Sequence, residues 1–338
     1  MGEFLLDSVS INVEKGDYLV ILGPTGAGKT ILLETVAGVY PPDNGSIRLN
    51  QRDITNEEPR NRKICMVYQD FMLFPHLTVE DNIGFGLRIK KVEKEEIRSR
   101  VKEVAELFGI DHLLHRYPDT LSGGEKQRTA ISRASIMNPE VLLLDEPLSA
   151  LDGQTRERLR GELKKLHRIF GTTIIHITHN FSEVFALADK VAVMNKGKIV
   201  QYGLPDEIFR KPNCEFTANF VGMENIFKGT CKRVNGCTHL NTGEMTIISS
   251  ALTDEDEACA SIRPEDILIS LKPVETSARN SFSGKIVDIL DSGTLVKLII
   301  DTGIIFTVVL TRQGWKDMGI KTGDELYIMF KASSVHIF

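Results

Sequence analysis

Apolar and polar positions follow two rhythms along the 338-residue chain, and the change between them falls near Gly222. In the first part, short apolar runs alternate with longer stretches at helical spacing. Tyr18–Leu22 is a run rich in β-formers, closed by a glycine loop and followed by a helical pattern from Thr30 to Val39. Pro41, Pro42, Asp43, Asn44 and Gly45 mark a turn, after which Ser46–Leu49 and Lys63–Tyr68 read as strands. From Thr78 to Met137 the pattern is mainly helical, with a charged stretch from Lys90 to Glu106. Val141–Leu144 and Thr173–Thr178 are again apolar runs. Runs without alternation suit strands covered on both faces, and their alternation with helices predicts a parallel α/β sheet.

Beyond Gly222 come short β-rich segments separated by Gly, Asn and Asp turns, the pattern of a small barrel or sandwich. Asn225-x-x-x-Gly229 recurs as Asn280-x-x-x-Gly284, each opening a β-rich segment, and Ser261-Ile262-Arg263 and Met329-Phe330-Lys331 begin similar closing stretches. The length suits two domains. The expected division is residues 1–223, with a helical subdomain at about 75–137, and residues 224–338.

Composition narrows the class of function. With 42% hydrophobic and 26% charged residues the chain can bury a normal core. A net charge of −5 without a long basic run disfavours nucleic acid as main partner. The five cysteines form no CxxC pair and suit a reducing compartment. The start lacks a basic segment followed by an apolar run, so no signal peptide is expected. No stretch approaches the ~20 apolar residues that cross a bilayer.

Gly23-Pro24-Thr25-Gly26-Ala27-Gly28-Lys29-Thr30 fits G-x-x-x-x-G-K-[ST] between a strand and a helix. Its glycines let backbone N–H groups surround a phosphate, the helix N-terminus adds positive potential, Lys29 supplies a point charge and Thr30 can ligate Mg²⁺. An ordinary glycine turn is the alternative, and the flanking elements count against it. Val141–Asp145 followed by Glu146 is an apolar strand ending in two carboxylates, at the sheet end where ligands of parallel sheets collect. Asp145 can hold Mg²⁺, and Glu146 can orient or deprotonate an attacking water. Leu121-Ser122-Gly123-Gly124-Glu125-Lys126-Gln127 reads as a capping box, Ser122 at the cap and Glu125 three residues on. That does not explain two glycines inside the cap, whose bare N–H groups make a second anion site.

Taken in order, Gly23–Thr30, Gln69, LSGGEKQ, LLLDEP, Ser149-Ala150-Leu151-Asp152 and His179 make the chain resemble the nucleotide-binding subunits of ABC transporters, over about Leu5 to Val221. The resemblance implies the α/β P-loop NTPase fold of an ABC ATPase, with ATP and Mg²⁺ as ligands. It implies that Gln69 joins Thr30 and Asp145 around the metal, and that His179 bonds the γ-phosphate while supporting Glu146. It further implies a head-to-tail homodimer in which Ser122, Gly123 and Gly124 of one protomer cover ATP bound by the other, with Asp152 contacting across the interface. His176 and His179 could suggest a metal pair, but their side chains are expected to point apart. The segment from Gln69 to His76 is unusually apolar for a loop. It reads either as core or, by the resemblance, as the groove that receives a membrane permease. YQDFMLFPHLTVEDNI resembles the importer branch, which implies a peripheral subunit on the cytoplasmic face and, indirectly, an extracytoplasmic substrate-binding protein. Related subunits carry a further opening strand and an adenine-stacking aromatic, for which Phe4 is the nearby candidate.

Residues from about Glu224 resemble the accessory β-barrel of importer ATPases, an OB- or Mop-like regulatory domain. Ser277-Ala278-Arg279-Asn280 followed by x-x-x-Gly284 resembles molybdate/tungstate-binding Mop-type domains. Ser277, Arg279, Asn280 and Lys285 would supply the hydroxyl, amide and cationic donors that a tetrahedral dianion needs. A polar turn opening a strand is the alternative. The resemblance implies import of molybdate or tungstate, with inhibition when the same anion fills the C-terminal domain. Sulfate, ferric iron, sugar or polyamine cargo keeps the same machine. A soluble, non-transport ABC ATPase would usually carry a second cassette or a long coiled coil, and the sequence has neither. A C-terminal domain that only stores oxyanion is a further alternative.

Overall fold

Tyr18–Leu22 forms β1, fully buried inside a mostly parallel sheet, in the computed structural model, which describes residues 5–338. Phe4 lies outside the described residues. Two compact units divide the chain, Met1–Pro205 and Asp206–Phe338. In the first unit β1 is followed by α1 (Lys29–Ala37), β2 (Arg48–Leu49), β3 (Arg52–Asp53) and β4 (Ile64–Val67). Next come three helices, α2 (Val79–Ile89), α3 (Lys94–Leu107) and α4 (Gly123–Ser135). The unit continues with β5 (Val141–Asp145), α5 (Gly153–Phe170), β6 (Thr173–Ile177), α6 (Phe181–Leu187), β7 (Lys190–Asn195) and β8 (Lys198–Gly203). The expected strand at Ser46–Leu49 shrinks to the two residues of β2, paired only with β3.

Strand order is β4-β5-β6-β1-β7-β8, all neighbours parallel except β7 and β8. Register decides where the loops emerge. Ile177 of β6 lies opposite both Ile21 of β1 and Asp145 of β5, while Val67 of β4 lies opposite Leu144. The segments that follow these four strands therefore leave the sheet at one level and one edge, the edge at which parallel sheets bind ligands. Leu19, Ile21, Leu33, Val141, Leu143 and Ile177 pack together below that edge.

The second unit opens with two short helices, α7 (Pro205–Arg210) and α8 (Glu215–Phe220), which the expected boundary at 224 had left with the ATPase part. Hydrogen bonds explain the earlier start. Arg263 donates to the Phe209 carbonyl, and His336 Nε2 donates to that of Pro212 at 2.8 Å. Strands follow as β9 (Asn225–Val234), β10 (Cys237–Asn241), β11 (Thr246–Ser249), β12 (Glu257–Ile262), β13 (Leu268–Ser270), β14 (Asn280–Asp291), β15 (Leu295–Asp301) and β16 (Ile305–Thr311). An unexpected helix, α9 (Arg312–Met318), precedes β17 (Glu325–Phe330) and β18 (His336–Ile337). They form two antiparallel sheets, β11-β10-β9-β12-β18 and β13-β17-β14-β15-β16, around one core that includes Leu240, Ile262, Ile286, Phe306 and Phe330.

The sequence recurrence corresponds to a structural one. β9 pairs with β12 as β14 pairs with β17, and each half gives its last short strand to the other half's sheet, β13 to β17 and β18 to β12. The two recurring asparagines complete the exchange. Asn225 bonds both backbone groups of Thr307 on β16, at 2.7 and 2.8 Å, and Asn280 bonds both those of Ile248 on β11, at 2.8 and 2.9 Å. Each is 1% exposed.

Candidate functional site

The chain turns from β1 into α1 through Gly23–Gly28, and sterics dictate the glycines. At Gly23 (φ +153) an added Cβ would stand 2.2 Å from the Met194 carbonyl oxygen on β7. Gly28 (φ +98) supplies the left-handed start of α1, while Thr25 and Gly26 are exposed on the rim and Ala27 is buried. Lys29, 6% exposed, folds back so that its ammonium donates to the carbonyls of Gly23 and Pro24 at 2.8 and 2.9 Å. Burial holds its pKa below the ordinary lysine value, and the charges of Glu146 and Asp145 oppose that shift. An ammonium resting on loop carbonyls can be exchanged onto phosphate oxygens.

Thr30 Oγ1 donates to Asp145 Oδ2 at 2.9 Å, so the end of β5 meets the first turn of α1. Burial raises the Asp145 carboxyl above its usual range, and the Thr30 hydrogen bond and Lys29 charge act against it. A desolvated carboxylate beside a hydroxyl oxygen is a donor set that suits Mg²⁺, which takes one or two protein oxygens and keeps waters or phosphate for the rest. Gln69, exposed just beyond β4, leaves the sheet at the same edge.

Glu146 stands in a left-handed conformation (φ +46), which turns its side chain out of line with β5. Its Oε1 lies 2.5 Å from His179 Nε2. His176, inside β6, is fully buried and bonded through Nδ1 to the Tyr18 hydroxyl at 2.9 Å, whereas His179, beyond the strand, is exposed. Burial drives the His176 pKa from 6.5 down to about 3, so that ring is neutral.

The capping box at the start of α4 is formed. Ser122 N and Oγ donate to Glu125 Oε2 at 2.7 and 2.8 Å, and Ser122 Oγ accepts from Glu125 N. Its two glycines differ. A Cβ on Gly124 would lie 2.6 Å from Thr155 Cγ2 of α5, whereas one on exposed Gly123 would meet nothing within 4 Å. Gly124 is thus needed for helix packing, and Gly123 leaves bare backbone facing outward. Asp152 caps α5 by accepting from Thr155 N at 3.1 Å, and the Thr155 hydroxyl together with that N–H lowers its pKa. Through Thr155 the fold sets Asp152 beside the Ser122–Gly124 turn.

An ABC transporter family model matches residues 6–149, and a TOBE domain model matches residues 276–337. The chain is 46% identical, over 99% of its length and 96% of the relative's, to a molybdate/tungstate import ATP-binding protein of Pyrococcus horikoshii. The chain belongs to the ABC transporter ATP-binding family. A spermidine/putrescine import ATP-binding protein of Borreliella afzelii is 36% identical over 99% of this chain and 94% of its own. A solved ATP-binding cassette, described as dimeric in a post-hydrolysis state with ADP and Pi, superposes with a TM-score of 0.54 at 29% identity, over 58% of this chain and 89% of that one.

Three features of this ABC subunit escaped the sequence reading. Arg133 on α4 donates to the Met72 and Phe71 carbonyls at 2.7 and 3.2 Å and sits 5.3 Å from the centre of the Phe74 ring. Asn82, fully buried on α2, bonds both backbone groups of Phe74. Phe71 and Met72 are both left-handed, and Met72 is 55% exposed, so the apolar loop is held to the helices yet open outward. Thr178 and Glu183 flank His179 with a buried hydrogen bond of 2.6 Å. A polar residue inside an apolar run, as His176 is, was the only sequence signal for such a network.

In the TOBE unit the expected oxyanion set does not come together. Ser277 is exposed in the turn before β14, and Arg279 donates to Cys237 Sγ at 2.9 Å. Asn280 is buried and committed to Ile248 on β11, so it ties the two halves together rather than facing an open anion site. Lys285 stands five positions further along β14, roughly 17 Å away and on the opposite face. Within one chain those two residues cannot share one ion.

Proposed function

We propose that the chain hydrolyses ATP to drive an ABC importer, as a peripheral subunit on the cytoplasmic side of a membrane-spanning permease. Among the described residues no helix is long and apolar enough to cross a membrane, so a separate spanning partner supplies the pathway. The observation that carries the reading is the convergence of Lys29, Thr30, Asp145, Glu146 and His179 at one sheet edge, with Glu146 and His179 in contact.

The backbone of Gly23–Thr30 binds the β-phosphate, and Lys29 shifts from the Gly23 and Pro24 carbonyls to the β- and γ-phosphate oxygens. Thr30 and Asp145, with Gln69, would hold Mg²⁺, which would supply positive charge to neutralise the phosphates. Glu146 orients a water in line with the γ-phosphorus and takes its proton as the P–O bond forms and the bond to ADP breaks. His179 holds the Glu146 carboxylate in place and reaches the γ-phosphate. Ser122–Gly124 and Asp152 close from a second protomer, giving a head-to-tail dimer glued by two ATP molecules. The exposed apolar loop from Gln69 to His76 receives the permease.

For cargo, the greater identity to molybdate/tungstate import proteins than to spermidine/putrescine ones favours an oxyanion delivered by an extracytoplasmic binding protein. We extend the regulatory reading only to Ser277 and Arg279, the two residues that remain at an open turn. Uptake into vesicles carrying the assembled transporter tests the cargo: tungstate accumulation supports it, and polyamine accumulation without tungstate refutes it. Calorimetry with molybdate on the full chain tests the regulatory site, and absence of heat removes it.

A further inference from the structure

Asn180 caps α6, accepting from Ser182 N at 2.9 Å, which makes Glu183 the third helical residue. In a capping box the acidic residue at that position bonds the cap's own backbone N–H. Here the bond goes elsewhere. Thr178 Oγ1 donates to Glu183 Oε2 at 2.6 Å and accepts from Asn180 N at 3.1 Å. The carboxylate thus reaches across His179, and one hydroxyl ties together the residues on either side of it.

The two side chains of this link are buried, Thr178 at 5% and Glu183 at 2% exposure, although neither belongs to the phosphate site. Behind them His176 Nε2 lies 3.6 Å from Glu183 Oε2 with no hydrogen bond of its own. Burial raises the Glu183 carboxyl, while the Thr178 hydrogen bond and the charges of Arg156 and Arg160 act against that. A plain structural cap at an exposed turn has no need of a desolvated carboxylate. A residue that must fix one ring against Glu146 at 2.5 Å does.

We propose that Glu183 is a positioning residue for ATP hydrolysis, fixing the backbone on both sides of His179 through the Thr178 hydroxyl. It touches neither nucleotide nor water and acts through His179 on Glu146. The inference rests on the reading of Glu146 and His179 as the hydrolytic pair.

The test is steady-state ATPase on the full chain, with kcat and KM separated and melting temperature recorded. Thr178→Val keeps shape and loses the hydroxyl, and kcat falls about ten- to a hundredfold at unchanged KM. Thr178→Ser restores kcat to within about twofold of the parent, because the hydroxyl is back. Glu183→Gln lowers kcat by about fivefold, and adding Thr178→Val costs less than the product of the single losses, since one link is cut twice. Parental kcat in Thr178→Val, a loss confined to KM, or a Thr178→Ser variant as slow as Thr178→Val overturns the proposal. Should Thr178→Val fail to fold, Glu183→Gln decides alone: lowered kcat supports the link and parental kcat overturns it. Glu146→Gln separates the two layers. If it turns over normally the hydrolytic pair itself is wrong, and if it is inactive while Thr178→Val and Glu183→Gln are normal, only this proposal fails.

Discussion

In the first unit, Thr30 and Asp145 are 115 positions apart and meet at 2.9 Å; in the second, Asn280 and Lys285 are five apart and lie on opposite faces of one strand. The contrast lies in what fixes each motif. The ATPase residues sit on separate strands whose register places their carboxyl ends at one level, so short-range chemistry and long-range topology agree. The Ser277–Lys285 stretch is one continuous segment, and within it a buried polar residue serves the fold as readily as a ligand. Asn280 has a twin in Asn225, which makes the same two-way bond to a strand of the other half, Asn225 to β16 and Asn280 to β11.

The comparison breaks most severely if Glu146 is dispensable. Glu146→Gln should cut turnover by about a thousandfold while leaving ATP binding intact, measured by phosphate release and nucleotide titration. Next, Asn280→Ala leaves the Ile248 N–H and C=O without partners and should destabilise the second unit by about 3 kcal/mol in denaturant unfolding. A variant that loses anion affinity but no stability would restore Asn280 to a ligand role.

A third test sharpens the account of the first unit's interior. The unfolded chain protonates His176 below about pH 6.5, whereas the folded ring stays neutral down to about 3. Its contribution to stability is therefore complete above the unfolded value and is lost as pH falls toward the folded one. Between pH 7 and 5 that loss is about 2 kcal/mol, and His176→Gln should flatten it. The smallest effect concerns Gly124. Gly124→Ala overpacks α4 against α5 and should cost about 1.5 kcal/mol, relieved by Thr155→Ala, which removes the opposing methyl group.

Much of the first unit was legible because its motifs combine backbone requirements with chemistry. A glycine forced by the Met194 carbonyl, a lysine after it and carboxylates at the end of an apolar strand leave few alternative folds. The capping box at Ser122 was equally legible, being local. Thr178, Glu183, Arg133 and Asn82 were not, since each bonds a partner fixed by tertiary packing, and a lone Thr, Glu, Arg or Asn carries no pattern. In the second unit the strands and the Asn-x-x-x-Gly recurrence were readable, but not what the recurrence does. The side chain of Asn280 bonds the backbone of Ile248 in the other half, a link that no local period records.

The central claim is that two half-sites from different protomers close on one nucleotide. A crystal structure of Glu146→Gln grown with ATP and Mg²⁺ tests it most directly. The account predicts a two-fold dimer in which the Ser122 hydroxyl bonds the terminal phosphate of the nucleotide seated in the other protomer's Gly23–Thr30 loop. A terminal phosphate contacted by one protomer alone, with Ser122 still bonded only to Glu125, would contradict it.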